Sequence, residues 1–320
     1  MLLNKNYKNF HNTFEKKEMY IILDDIEIKD GKIYGGWRAP ENLYRGLKTS
    51  IHDDGVAKKV GMRGGTIPGT IHLSLFAPLG QKIFGDRWFE KGTVSMYYTY
   101  ATIDKEEVRA IMELPEGTTE DSLPITADDV QCKAWGELKS GQQIMMGTVS
   151  VGNPKEPSYL QSLELKNSKP EELRILEGYK VGNEYGPEEV LVTQDAAIKG
   201  LPSITDRLEY YKGKSPWGNS ILSPTASFGS MTLGTSGYSK VWDKGVPFFG
   251  ATEIRYINGP ILVDVPYIAK AKIASAGVSS KTEYYWLDST LEDKKTGKLV
   301  ASMRHMNRYM KAGSPVYKDE

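Results

Sequence analysis

Four histidines, a single cysteine and a scatter of carboxylates are the residues of this chain whose chemistry could go beyond packing. His11, His52, His72 and His305 show no metal-ligand spacing, and Cys132 alone can form neither a disulfide within the chain nor a thiolate cluster. There is no Gly-x-Gly-x-x-Gly, no phosphate-binding loop, no His-Glu-x-x-His and no Gly-x-Ser-x-Gly. Cofactor-independent acid-base chemistry, or binding alone, remains. His52 precedes Asp53 and Asp54, so it is either an ordinary surface-loop imidazole or one placed to exchange protons near neutral pH. Asp54 fits a cap on the turn that starts near Gly55. Gly69 follows Pro68 at the start of an apolar-faced segment, where a helix would point unpaired amides at an anionic oxygen, or where glycine serves only a close approach to the sheet. His72 lies on that apolar face and fits a core position or pocket wall. Asp206 and Tyr211 sit in a polar stretch that reads as a solvated helical face, and Arg63 and Arg87 read as surface charges that could also meet phosphates.

The elements that must position these residues come in two similar sets. Gly69–Phe84 carries His72, Leu75, Phe76, Leu79 and Ile83 at three- and four-residue spacing, which predicts a helix that Pro78 bends or cuts short. Strand-like runs follow at Gly92–Ile103, Glu107–Leu114, Val130–Leu138 and Gln142–Val151. After a polar, proline-containing break at Gly152–Pro157, the order repeats with Thr225–Tyr238 as helix and Val246–Ile257, Tyr267–Ser275, Thr282–Glu292 and Leu299–Lys311 as strands. Trp88 to Gly92 and Trp242 to Gly245 mark the same helix-to-strand junction. Each set also opens with a candidate strand, Tyr20–Ile28 and Glu188–Thr193, and KPEELRILEGYK predicts a short helix in the connection. In the Tyr97-Tyr98-Thr99-Tyr100 run, alternate side chains face opposite sides of a strand. The division is an N-terminal domain over 1–152, a linker over 153–185 and a C-terminal domain over 186–320, in an α+β class with helices to one side of antiparallel sheets.

Composition narrows the function classes. Lys plus Arg and Asp plus Glu both number 41, so the formal charge is zero and nothing favours a nucleic-acid partner. Hydrophobic residues at 39% supply a core. No run has the length of a signal peptide or of a spanning helix, which with the lone cysteine predicts a cytoplasmic protein outside the membrane.

The stretch TSIHDDGVAKKVGMRGGTIPGTIHLSLF, over Thr49–Phe76, resembles the overhang segment and helix start of MaoC-like dehydratases and R-specific enoyl-CoA hydratases. The likeness rests on His52 with Asp54 two positions later, the turn from Gly55 to Gly61, and Ile67-Pro68-Gly69 opening a helix. It implies two tandem hot-dog domains, each an antiparallel sheet wrapped around a central helix, and a hydro-lyase acting on an acyl-CoA-type thioester or a related small carbonyl compound. Coenzyme A would enter only as part of the substrate, with no other cofactor. In that family an Asp and a His five residues later manage the proton transfers, and a glycine amide at the helix start binds the thioester oxygen. His52 and Gly69 match the last two, while Leu47 and Thr49 replace the usual Asp and Asn. Asp206 and Tyr211 carry the Asp-to-His spacing in the second half, with Tyr in place of His, and would supply the missing acid if both halves share one pocket. Asp54, Thr70 and His72 would line the substrate. A non-catalytic acyl-binding or scaffold protein with a degenerate site, and a thioesterase, are the alternatives; the two halves could pair within a monomer or assemble further into a homodimer.

Overall fold

The computed structural model describes residues 25–46, 50–213, 215–232, 241 and 243–318. Leu47, Thr49, Trp242, most of the candidate strand from Tyr20 and the end of the helix toward Tyr238 lie outside the described residues. A short hairpin opens the described chain, β1 (Glu27–Lys29) and β2 (Lys32–Tyr34). The first set continues with β3 (Gly92–Tyr98), β4 (Val108–Glu113), β5 (Val130–Leu138) and β6 (Gln143–Val151). The second consists of β7 (Glu184–Leu191), β8 (Val246–Tyr256), β9 (Pro266–Val278), β10 (Thr282–Asp293) and β11 (Leu299–Met310). All join one antiparallel sheet in the order β1-β2-β4-β5-β6-β3-β8-β11-β10-β9-β7.

That order exposes the repeat. Reading inward from each edge, β2-β4-β5-β6-β3 and β7-β9-β10-β11-β8 follow the same plan, and the sets meet where β3 pairs with β8, from Thr93 opposite Arg255 to Tyr97 opposite Ala251. Backbone pairing across this seam covers the inner edges of the two sets over Thr93–Tyr97 and Ala251–Arg255. β3 ends at Tyr98 because the Thr99 and Tyr100 amides both turn to the Ile144 carbonyl.

The predicted central helix is a tight 3-10 run over Gly69–Leu75 followed by an α-helix over Phe76–Phe84, named α2 after the short α1 (Asp54–Lys59). Pro78 explains the change of winding: a continuous α-helix from Gly69 would need its absent amide at Ser74, whereas in the first turn of α2 none is required. Leu73, Phe76, Leu79 and Ile83 are buried in the main core with Val94 and Met96 of β3. α3 (Arg87–Lys91) turns the chain into β3, and its Trp88 ring lies 2.6 Å from where a side chain on Gly80 would begin, so the close approach requires glycine. In the second set α4 (Gln194–Gly200) precedes α5 (Pro224–Thr232). The two central helices touch through Thr225, whose hydroxyl donates to the Thr70 carbonyl at 2.9 Å and lies 2.8 Å from Ser74 Oγ.

The connection has no α-helix over Lys169–Lys180, only a 3-10 turn at Pro170–Glu172. The amides a helix would have used are taken elsewhere: Arg174, Ile175 and Leu176 donate to the buried carboxylate of Glu283 at 2.9, 2.9 and 2.8 Å. Leu173, Ile175 and Leu176 then fill a second cluster with Ile273, Tyr285, Leu287 and Tyr309.

Candidate functional site

His52 owes its position to a loop tied at four points. Asp53, not Asp54, caps α1, its Oδ1 accepting from the Gly55 and Val56 amides at 2.9 and 3.1 Å. Asp54 Oδ1 reaches across the loop to the Gly65 amide at 2.7 Å, so it orients the segment that leads to Gly69. Asn42 Nδ2 donates to the His52 carbonyl at 2.9 Å, and the Thr66 amide donates to the Ile51 carbonyl at 2.9 Å. Gly65 passes so close that a Cβ there would stand 2.4 Å from the His52 carbonyl oxygen.

The imidazole is half-buried beside Tyr44, with ring centroids 5.5 Å apart. Its Nδ1 lies 2.6 Å from the Thr66 carbonyl oxygen. A carbonyl only accepts, so Nδ1 carries the proton and Nε2 keeps a lone pair. Burial lowers the pKa from its ordinary value, and the Thr66 carbonyl offsets this in part. The ring is therefore a neutral, oriented base at neutral pH. Among the described residues no hydrogen bond or charge interaction joins it to a carboxylate.

Three residues beyond Thr66, Gly69 begins the central helix, where amides lack intrahelical partners and the macrodipole favours negative charge. The Tyr98 ring lies flat against it, three ring atoms standing 3.0 Å from where a Cβ would be. Thr70 is buried and its carbonyl is spent on Thr225. His72 is buried on the helix, its Nε2 2.8 Å from Thr102 Oγ1, and burial pushes its pKa down to about 4. It is a neutral wall residue, not a proton carrier.

Asp206 and Tyr211 are not on a solvated face: they are 2% and 1% exposed. Tyr211 closes a 3-10 turn over Glu209–Tyr211. Burial pushes the Asp206 carboxyl up to about 7, against the opposing pull of the Leu208 amide, Arg207, Tyr211 and Arg38. Arg38, whose backbone bridges to Val108 of β4, acts on it from the first half, a partner that sequence reading missed because nothing marks two residues 168 positions apart as a contact. Asp206 Oδ2 and the Tyr211 hydroxyl have no hydrogen-bond partner in good geometry, while the nearby Tyr256 hydroxyl lies 3.2 Å from Ser227 Oγ. Among the described residues no hydrogen bond or charge interaction joins Asp206 or Tyr211 to His52. The two predicted parts of the site thus lie in different surroundings.

The arginines that could have met phosphates are engaged. Arg63 pairs with Glu106 at 2.7 and 2.9 Å and stacks on Tyr100, and Arg87 donates to the carbonyls of Ile125 and Ala127. Cys132 is buried, its thiol pushed up to about 12 chiefly by desolvation. Among the described residues no group of three or more His, Cys, Asp or Glu could hold a metal, and no helix is long and apolar enough to cross a membrane.

No family model and no curated protein matches the chain. Solved structures do. A putative MaoC domain dehydratase from Chloroflexus aurantiacus aligns over 80% of this chain and 86% of its own at a TM-score of 0.53 and 8% identity. A MaoC-like dehydratase aligns over 85% and 94% at 0.51 and 10% identity. A conserved hypothetical protein of Mycobacterium tuberculosis with a double hot-dog fold aligns over 79% and 85% at 0.50 and 9% identity. At these identities the likeness speaks for the fold, and with the continuous sheet and paired central helices it places this chain among α+β proteins of the double hot-dog fold.

Proposed function

We propose that this protein adds water to, and removes it from, an acyl-CoA-type thioester or a related small carbonyl compound, with His52 as the acid-base residue. The observation that carries the reading is the carbonyl of Thr66, three residues ahead of the helix start at Gly69, on His52 Nδ1, which leaves Nε2 as a neutral base. In the hydration direction Nε2 takes a proton from water as its oxygen attacks the β carbon. The electron pair of the double bond moves through the α carbon toward the thioester oxygen, which the helix-terminal amides stabilise. The imidazolium then returns the proton to the α carbon, so that one residue serves as base and acid in turn. Dehydration is the reverse. Asp54 keeps the loop in register, and Thr70 and His72 wall the helix side.

A second reading, a protein that binds acyl groups without converting them, is favoured by one observation: among the described residues no carboxylate is joined to His52 by a hydrogen bond or charge interaction. Turnover of a panel of enoyl thioesters, followed as loss of the conjugated chromophore, separates the two. The hydratase reading expects conversion that falls by ~10²–10⁴ in a folded His52→Ala protein, the usual contribution of a positioned acid or base. Binding without conversion supports the second reading.

A further inference from the structure

Backbone hydrogen bonds match the two halves residue by residue ahead of their central helices. The Thr66 amide donates to the Ile51 carbonyl at 2.9 Å, and the Ile221 amide donates to the Tyr210 carbonyl at 2.9 Å. One residue on, the Ile67 amide donates to the Thr102 carbonyl at 2.9 Å and the Leu222 amide to the Ile261 carbonyl at 2.8 Å. Thr66 and Ile221 also form the same isolated antiparallel bridge, to Ile103 and to Leu262. This shared register sets Tyr211 where the first half has His52. It sets Pro224, the first residue of α5, where the first half has Gly69.

Both replacements remove what the chemistry needs. Proline has no amide hydrogen, so α5 begins without the donor that Gly69 offers. The Ala226 amide is taken as well, by Ser223 Oγ at 3.2 Å, whereas no side chain caps the helix start at Gly69. Tyr211 is 1% exposed and packs in the main core, while His52 is half-buried. Its phenol keeps its proton, held by burial and by the charge of the Asp206 carboxyl beside it, so it offers no base at neutral pH. The segment that carries it is also clamped to α3 of the first half. The Tyr210 hydroxyl donates to Asp86 Oδ1 at 3.1 Å, Trp217 Nε1 donates to Glu90 Oε1 at 2.8 Å, and Phe89 stands edge-on to both rings at 5.8 and 5.9 Å. We propose that the chain carries a single thioester site, on the first half, and that Tyr211 and Asp206 fill the matching position of the second half as packing, so that one chain binds one thioester and no proton of the reaction passes through Tyr211.

This inference rests on the reading of His52 and Gly69 as a thioester site, and the experiment separates the two. Native mass spectrometry of the full chain titrated with butyryl-CoA counts the ligands bound. Hydration of crotonyl-CoA is then measured with the wild type, Tyr211→Phe and Gly69→Pro. The expected count saturates at one per chain. Tyr211→Phe should keep kcat and KM within about twofold of the wild type, since a positioned acid would be worth ~10²-fold or more. Gly69→Pro gives the first half the residue that the second half has, and should lower kcat/KM by ~10²–10³-fold, the usual loss with an oxyanion donor. If Tyr211→Phe does not fold, Asp206→Asn puts the same question to the same pair. Two ligands per chain, or a loss of about tenfold or more in Tyr211→Phe, overturns the inference and leaves the His52 reading intact. Full turnover by Gly69→Pro overturns it too, because the first half would then need no more than the second half has. Neither conversion nor binding of any thioester overturns the thioester reading and this inference with it.

Discussion

Replacing Asp206 by Asn tests the buried cluster through a quantity that a surface carboxylate could not change. The ordinary value of 3.8 becomes about 7 in the folded protein, chiefly because burial disfavours the charged form. In the unfolded chain the carboxyl releases its proton near its ordinary value, while the native state holds the proton until about pH 7. The native state therefore binds more protons over that interval, and this group makes stability fall as pH rises from about 4 to about 7. Roughly three pKa units at 1.36 kcal/mol each give a penalty of about 4 kcal/mol, fully present above pH 7 and absent below about pH 4. Asparagine keeps an acceptor for the Leu208 amide and carries no charge, so it should remove the penalty. Urea denaturation of both proteins at pH 5 and pH 8 is the assay. The stability advantage of Asp206→Asn should grow by a few kcal/mol between the two. A difference that does not change with pH, or one that favours the wild type more at pH 8, would refute the argument and mean that Arg38 and Arg207 hold the carboxylate ionised.

Three other expectations follow from specific contacts. For hydration through His52, kcat/KM should decline on acidification with a midpoint below the ordinary imidazole value near 6.5, since burial favours the neutral base; a pH-rate profile with a midpoint above it contradicts the assignment. Gly65→Ala places a Cβ 2.4 Å from the His52 carbonyl oxygen, so it should cost about 1–3 kcal/mol by thermal denaturation and lower turnover by displacing the histidine loop. Glu283→Ala strips the acceptor from three buried or half-buried amides and from the Tyr317 hydroxyl at 2.7 Å, a loss of about 3 kcal/mol or more in urea denaturation; less than 1 kcal/mol would show that the connection is not held by this carboxylate.

Where local pattern and tertiary context agreed, the fold was legible. The run Val130–Leu138 is β5 to the residue, and the second-half strands end within three residues of the predicted positions. KPEELRILEGYK shows the limit: its residues favour a helix, yet Glu283, more than a hundred positions away, takes three of its amides. Asp54 has the residue type and place of a cap and instead binds Gly65, because the preceding Asp53 already holds the α1 amides. His52 and Gly69, seventeen positions apart, were marked by residue type and by the resemblance of the one stretch Thr49–Phe76 that holds both. The surroundings of Asp206 could not, since Arg38 and Tyr256 arrive from distant strands and a polar local sequence concealed a buried position.

The central claim is that His52 directs water to the β carbon of a conjugated thioester. Its most direct test is mass spectrometry of a single enoyl thioester incubated in heavy-oxygen water with the wild type and with His52→Ala. The account predicts a product heavier by one labelled water, with the thioester intact and the label on the β carbon, formed at least a hundredfold more slowly by the variant. Label in a released carboxylic acid, or equal rates for the two proteins, would contradict it.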